Sequence, residues 1–152
     1  MLPDSDYMQQ ALLEAEKGAA NGEVPVGAVL IDAAGTILSR AFNQTISRND
    51  PTAHAEMLAM RTAAARIGNY RLLNTTLYVT IEPCVMCMGA AIHARLHRVV
   101  FGAEDSKWGA CGSLYDFAAD SRFNHHPEIV RGVCEIRCRD LMIDFFRSRR
   151  KI

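Results

Sequence analysis

Two short segments, His54-Ala55-Glu56 and Pro83-Cys84-Val85-Met86-Cys87, constrain this chain more than anything else in it. Each stands at the start of a stretch that reads as a helix. Cys84 and Cys87, three residues apart, share one helical face, so both sulfurs can grip a single ion. The dipole at a helix N-terminus favours the thiolates that a metal needs. His54 adds a neutral imidazole as third donor. Three protein donors leave the fourth tetrahedral position to water, the arrangement of a catalytic zinc rather than a closed structural one. Any fold that uses these residues together must bring two helix starts, about thirty residues apart in the chain, into contact.

Zinc lowers the pKa of a bound water from ~15.7 toward ~7, so a nucleophile exists at neutral pH. Glu56, two residues beyond His54, is placed to take the water proton and pass it to a substrate nitrogen, first as general base and then as general acid. A His-x-Glu followed by Pro-Cys-x-x-Cys is the zinc-deaminase pattern. The bland alternative is a structural zinc with a fourth ligand elsewhere, or unligated core residues; neither accounts for a glutamate at position 56.

The rest of the chain supports one domain spanning 1–152. Hydrophobic residues make up 49% and charged residues 22%, the mix of a soluble globular protein. Its 17 basic and 17 acidic residues cancel, so overall charge gives no sign of a nucleic-acid partner, and any such sign must come from local clustering. No secretory start and no apolar run near the ~18–20 residues of a membrane span is evident, so a cytoplasmic protein with no membrane association is expected. Five cysteines without a secretory signal argue against a disulfide framework.

Asp4 or Ser5 can cap a first helix with Met8, Ala11, Leu12, Ala15 and Ala19 on one stripe, ending near Gly22. Residues 24–31 read as a buried strand, turned back through Asp32-Ala33-Ala34-Gly35 into a second strand over 36–42. A polar loop over 43–52 precedes a helix over 53–67, and Thr76–Ile81 reads as a third strand. Pro83 opens a helix to about Ala94. A short strand over 99–101, a polar stretch of undetermined structure over 103–127, a weak strand over 129–134 and a helix over 138–150 complete the chain. The order predicts an α/β layered domain with helices on both faces of one sheet.

Three segments carry a wider resemblance: Glu23-Val24-Pro25-Val26-Gly27-Ala28-Val29, Asp50-Pro51-Thr52-Ala53-His54-Ala55-Glu56 and Leu77-Tyr78-Val79-Thr80-Ile81-Glu82-Pro83-Cys84-Val85-Met86-Cys87. They resemble the bacterial tRNA-specific adenosine deaminases, which convert the wobble adenosine of an anticodon to inosine. The likeness continues through Arg98-Val99-Val100-Phe101-Gly102-Ala103, Gly112-Ser113-Leu114, Asn124-His125 and Asp144-Phe145-Phe146-Arg147. It implies the three-layer α/β/α fold of the cytidine deaminase-like superfamily, with one mixed sheet covered on both faces. It also implies a homodimer, one Zn²⁺ per chain and a tRNA anticodon stem-loop as substrate.

The same resemblance implies roles at further positions. Asn43 matches an asparagine that hydrogen-bonds the flipped purine, and Val24 an apolar wall of the base pocket. Asp105 and Lys107 match a loop that contacts nucleotides flanking the target. Asn124 and His125 match a polar pair near the RNA. Phe146, Arg147, Arg149, Arg150 and Lys151 match a basic helix end near the anticodon stem. Trp108 departs from the pattern, standing where a small residue is expected, and its indole can stack on a base or narrow the cleft.

Other residues have plainer readings. Cys111, Cys134 and Cys138 read as small buried apolar residues. His125 and His126 read as polar surface groups rather than metal ligands, and Glu82 as an orienting acid rather than a second catalyst. Two rival functions stand beside the leading one. A deaminase of a free base or nucleoside, of the guanine or cytidine type, shares the zinc core but needs a closed pocket. A catalytically silent RNA-binding module needs no glutamate at position 56.

Overall fold

A computed structural model describes residues 1–150; Lys151, grouped above with the terminal arginines, lies outside the described residues. The chain runs α1 (Asp4–Ala20), β1 (Gly27–Ile31), β2 (Ile37–Phe42), α2 (Ala55–Ile67), β3 (Thr76–Ile81), α3 (Val85–His93), β4 (Arg98–Ala103), a single 3₁₀ turn (Phe117–Ala119), β5 (Glu128–Val130) and α4 (Glu135–Arg150). The strands form one sheet in the order β2-β1-β3-β4-β5. β1 is antiparallel to both β2 and β3, whereas β3, β4 and β5 are mutually parallel, so the sheet is mixed.

Alternate side chains of the central strands bury against opposite helix layers. Leu30, Leu77, Val79 and Phe101 face Leu58, Ala59 and Met88 from α2 and α3. Val29, Tyr78 and Val100 face Tyr7, Met8 and Leu12 from α1 and Cys138 from α4. Because both faces are covered, β1 and β3 are buried along their whole length and read as unbroken apolar runs. Truncating a wholly buried side chain such as Leu12 or Leu77 to alanine is expected to cost ~2–5 kcal/mol. Gly27 lets β1 lie close on α1, since a Cβ there would run into the Ala11 carbonyl.

Several element boundaries differ from the expectations. The strand expected from residue 24 begins at Gly27, because Pro25 has no N–H for a ladder and the Val26 N–H turns back to the Val24 carbonyl at 2.8 Å. Neither Asp4 nor Ser5 caps α1. Pro3 is the N-cap and provides no side-chain bond. The Asp4 carboxylate instead pairs with Arg98 at 2.9 Å and accepts the Tyr78 hydroxyl at 2.6 Å, far along the chain. The strand expected over 129–134 covers only Glu128–Val130, since Gly132 and Cys134 take positive φ and turn the chain into α4. That helix starts at Glu135, three residues before the expected 138.

The sheet topology positions the site. At one end of the sheet the parallel β3 and β4 finish, the antiparallel β2 finishes and β1 begins. The segments 23–26, 43–54, 82–87 and 104–111 therefore converge there. This is the end at which α/β sheets place their ligands.

Candidate active site

His54 is the N-cap of α2 and Cys84 the N-cap of α3, so each reaches the site from a helix start. Gly68, in the left-handed conformation at φ 71°, ends α2 just after the expected last residue, 67. His54 Nδ1 lies 3.6 Å from Cys84 Sγ and 3.5 Å from Cys87 Sγ. The three donor atoms all fall within 4.8 Å of one another. One N–H cannot serve two sulfurs, but a cation between them can. The nitrogen–sulfur edge of a tetrahedron with zinc–sulfur and zinc–nitrogen bonds of ordinary length is roughly 3.5 Å, so the residues fit a zinc ion.

The charges lead to the same conclusion. The Cys84 thiolate is favoured by bonds from Cys87 and then His54, which bring its pKa down to about 4 despite burial. Cys87 is pushed far up, chiefly because its thiol donates to Cys84, and further by burial and the Glu56 charge. His54 is raised mainly by its contact with Cys84. Two adjacent sulfurs disfavour a second negative charge, and a divalent cation between them would leave both as thiolates. Among the described residues no other His, Cys, Asp or Glu group is arranged to hold a metal. Cys138 is buried in the α1–α4 core and Cys111 in the opposite one, as expected of inert cysteines.

Glu56 occupies the first turn of α2, beside the triad, and is almost wholly buried. Burial pushes its carboxyl up to about 7, against a smaller opposing pull from its own backbone N–H and His54. Its place beside the donors suits a carboxyl that takes up and releases a proton there.

Two further buried carboxylates hold the surrounding loops. Glu82 accepts the N–H groups of Asp105, Cys111 and Ser113 at 3.1, 2.9 and 3.1 Å, together with the Ser113 hydroxyl. It thereby folds the 103–127 stretch over the start of α3. Gly109 is required at this point, because a Cβ would strike the Glu82 carboxylate. This is the orienting role expected of Glu82. Glu23 was not anticipated. It is buried and accepts the Ile46 and Ser47 N–H groups at 3.1 and 2.7 Å. Burial opposes its charge, but these bonds outweigh it and hold its carboxyl below the usual range. An acid amid an apolar stretch just before β1 was the available signal.

A cleft of ≈ 880 Å³ opens onto the donors and brings together Val24, Asn43, His54, Glu56, Cys84, Asp105, Lys107 and Phe146. Cys87 sits behind it, buried. Asn43 is buried, with Nδ2 3.4 Å from the Thr45 hydroxyl. The Asp105 carboxylate accepts the Lys107 and Trp108 N–H groups, which fixes the turn that presents both side chains. Trp108 is 69% exposed at the rim. Pro51, Met86 and Met142 also line the cleft and were not singled out from sequence; Met142 precedes Phe146 by one helical turn, which was the visible sign.

The remaining expected residues lie apart from the cleft. Asn124 is exposed, and His125 Nε2 donates to the Leu96 carbonyl at 2.7 Å. Arg149 donates to the Gly22 carbonyl at 2.6 Å and stacks on Phe145 at 4.8 Å, joining α4 to the end of α1. Arg150 is exposed at the helix end.

Comparison with known proteins places this arrangement. The tRNA-specific adenosine deaminase of Haemophilus influenzae is 50% identical over 97% of this chain and 86% of its own length. A structure from a study of A-to-I editing by tRNA deaminases at the wobble position superposes with a TM-score of 0.86 and 39% identity, covering 90% of this chain and 98% of that one. A guanine deaminase structure from Bacillus subtilis has a TM-score of 0.66 and 34% identity, over 77% of this chain and 74% of the other. Residues 1–103, which contain both helix starts and all three donors, match the family described as cytidine and deoxycytidylate deaminase zinc-binding region. The chain belongs to that family of zinc-dependent deaminases.

Proposed function

We propose that the chain hydrolyses adenosine to inosine at the wobble position of a tRNA anticodon loop, releasing ammonia. The observation that carries this reading is the open cleft, which sets Asn43 and Val24 beside the donor triad and Glu56, in a chain half identical to a tRNA-specific adenosine deaminase.

His54, Cys84 and Cys87 would hold one zinc ion. When bound, the ion supplies a water acidic enough to attack an aromatic carbon at neutral pH. Glu56 would take one proton from the attacking water and deliver it to the ring nitrogen as the carbon–oxygen bond forms; it would then carry that oxygen's second proton to the amino group, so that the carbon–nitrogen bond breaks and ammonia leaves. The Asn43 amide, with a donor and an acceptor, holds a purine edge, and Val24 lies against the ring. An unpaired loop nucleotide is cheap to extrude, which suits a cleft that admits one base from a polymer.

Asp105, Lys107 and Trp108 at the rim meet the nucleotides next to the target. Phe146 closes the far wall, and Arg150 at the exposed end of α4 meets the stem phosphates. Arg149 serves both that surface and the anchoring of α4. Asn124 and His125 lie outside this chain's own cleft, and in a homodimer they would be free to meet the RNA held by the partner copy. A tRNA substrate places the enzyme in the cytoplasm.

The rival reading, deamination of free guanine, is favoured by the likeness to a guanine deaminase. Ammonia release from an anticodon stem-loop, free guanine and free cytidine separates the two. Release from the stem-loop well above both small molecules is expected; preferential turnover of guanine would overturn the tRNA assignment.

A further inference from the structure

The chain carries no net charge, and among the described residues Lys107 is the one lysine or arginine along the walls of the cleft. Besides the basic end of α4, cations gather in a separate groove of ≈ 420 Å³ between α1 and α2 at the β2 edge of the sheet. Lys17 from α1, Arg40 from β2, Arg48 from the 43–54 loop and Arg61 from α2 converge on it. Glu14 is its one acid. It is buried and already paired with Lys17 at 3.4 Å.

The three guanidinium groups are exposed and largely uncommitted. Arg40 bonds Gln10, Arg48 bonds Gln44 at 2.8 Å and Arg61 bonds the Thr52 hydroxyl at 3.2 Å, each through one nitrogen. Among the described residues none of the three forms an ion pair. Asp50 feels the charges of Arg48 and Arg61 but pairs with neither; its Oδ1 accepts the Thr52 N–H and hydroxyl at 2.8 and 2.7 Å. Each guanidinium therefore keeps donors free in the fork geometry that suits phosphate oxygens.

The groove and the cleft share a wall. Asn43 and Thr45 face the cleft, whereas Gln44 and Arg48 face the groove. A nucleic acid strand whose target base enters the cleft on one side of this loop meets the cations on the other. We infer that the groove binds the phosphodiester backbone of the RNA close to the target nucleotide. The inference rests on the RNA substrate proposed above. It explains how a chain without net charge, and with a single lysine in its cleft, holds a polyanion: base choice is made in the cleft and affinity is gained beside it.

The test uses zinc-loaded protein and a labelled anticodon stem-loop, with binding and steady-state deamination measured between about 50 and about 200 mM salt. Arg40 and Arg61 lie on regular secondary structure and are exposed, so Arg40→Gln/Arg61→Gln is expected to keep its zinc and its melting temperature. Losing two contacts to single-stranded phosphates flattens the slope of log K against log salt by roughly 1.4, so the affinity gap from wild type narrows roughly sevenfold across that range. KM for the stem-loop rises while kcat at saturation holds. Arg40→Lys/Arg61→Lys, which keeps both charges, recovers most of the slope. If the glutamine variant matches wild type in slope and KM, the arginines merely guard the edge strand and the groove assignment is wrong. Wild-type protein that leaves the stem-loop adenosine unconverted refutes the RNA-deaminase reading itself, a result distinct from the former.

Discussion

His54 Nδ1 stands 3.5 Å from Cys87 Sγ, a contact between the starts of two helices separated by 33 residues of sequence. The three donor atoms of His54, Cys84 and Cys87 lie within 4.8 Å of one another, close enough to share one ion. Cys87→Ala is expected to lose the zinc and, with it, part of the thermal stability, because metal binding and folding are coupled. Cys138→Ala, in the α1–α4 core, is expected to keep about one zinc per chain while losing packing. Metal analysis of the two purified variants checks this; retained zinc in the Cys87 variant contradicts the ligand set.

Glu56 contributes no donor to the triad, so metal and chemistry should separate there. Glu56→Ala is expected to bind zinc as wild type does and to lose activity by ~10⁴ or more, beyond the ~10²–10⁴ of a single acid–base step, because one carboxylate serves at several steps. Near wild-type turnover in a zinc-replete variant would remove Glu56 from the mechanism.

Much of this site was legible before the fold was known. The β-branched run Thr76–Ile81 is a strand at the expected bounds, and the helix starts at His54 and Cys84 fall where the motif requires them. The loops that complete the site were not legible. The 103–127 stretch takes its shape from Glu82, and the 43–54 loop from Glu23, through bonds spanning 23 to 31 residues. Local pattern cannot reveal such bonds, and an isolated acid ordinarily reads as solvent-exposed. Asp4 shows the same limit: it has the character of a cap, yet Arg98 and Tyr78 take its carboxylate. The groove cations come from four separate segments, so no charge run announced them.

Asn43 is buried at the cleft and makes one long bond, to Thr45 at 3.4 Å, leaving its amide available to a base. Asn43→Ala is expected to lower kcat/KM on a stem-loop adenosine by ~1–3 kcal/mol, roughly five- to 150-fold. Its zinc content should not change. An unaltered rate would show that another group selects the purine.

The Asp4 carboxyl is held below its usual range, chiefly by its bonds to the Arg98 guanidinium and against a smaller cost of burial. A depressed folded-state pKa means that this pair stabilises the protein above the unfolded carboxyl's pKa and ceases to do so as pH falls through the folded value. Asp4→Asn should therefore lower the melting temperature at neutral pH, by the equivalent of about 1 kcal/mol for a partly buried pair. The difference from wild type should fade below about pH 4. A gap that persists undiminished in acid would show that packing, rather than charge, accounts for it.

Base choice within a polymer tests the account most directly. Two anticodon stem-loops that differ only in adenosine or cytidine at the wobble position are incubated with the zinc-loaded protein, and conversion of that base is followed over time by sequencing. Zinc chemistry is open to either base, so the outcome reports the pocket formed by Asn43 and Val24. Rapid conversion of adenosine to inosine and far slower conversion of cytidine are expected. Equal or faster conversion of the cytidine stem-loop would contradict that expectation while leaving the metal centre in place.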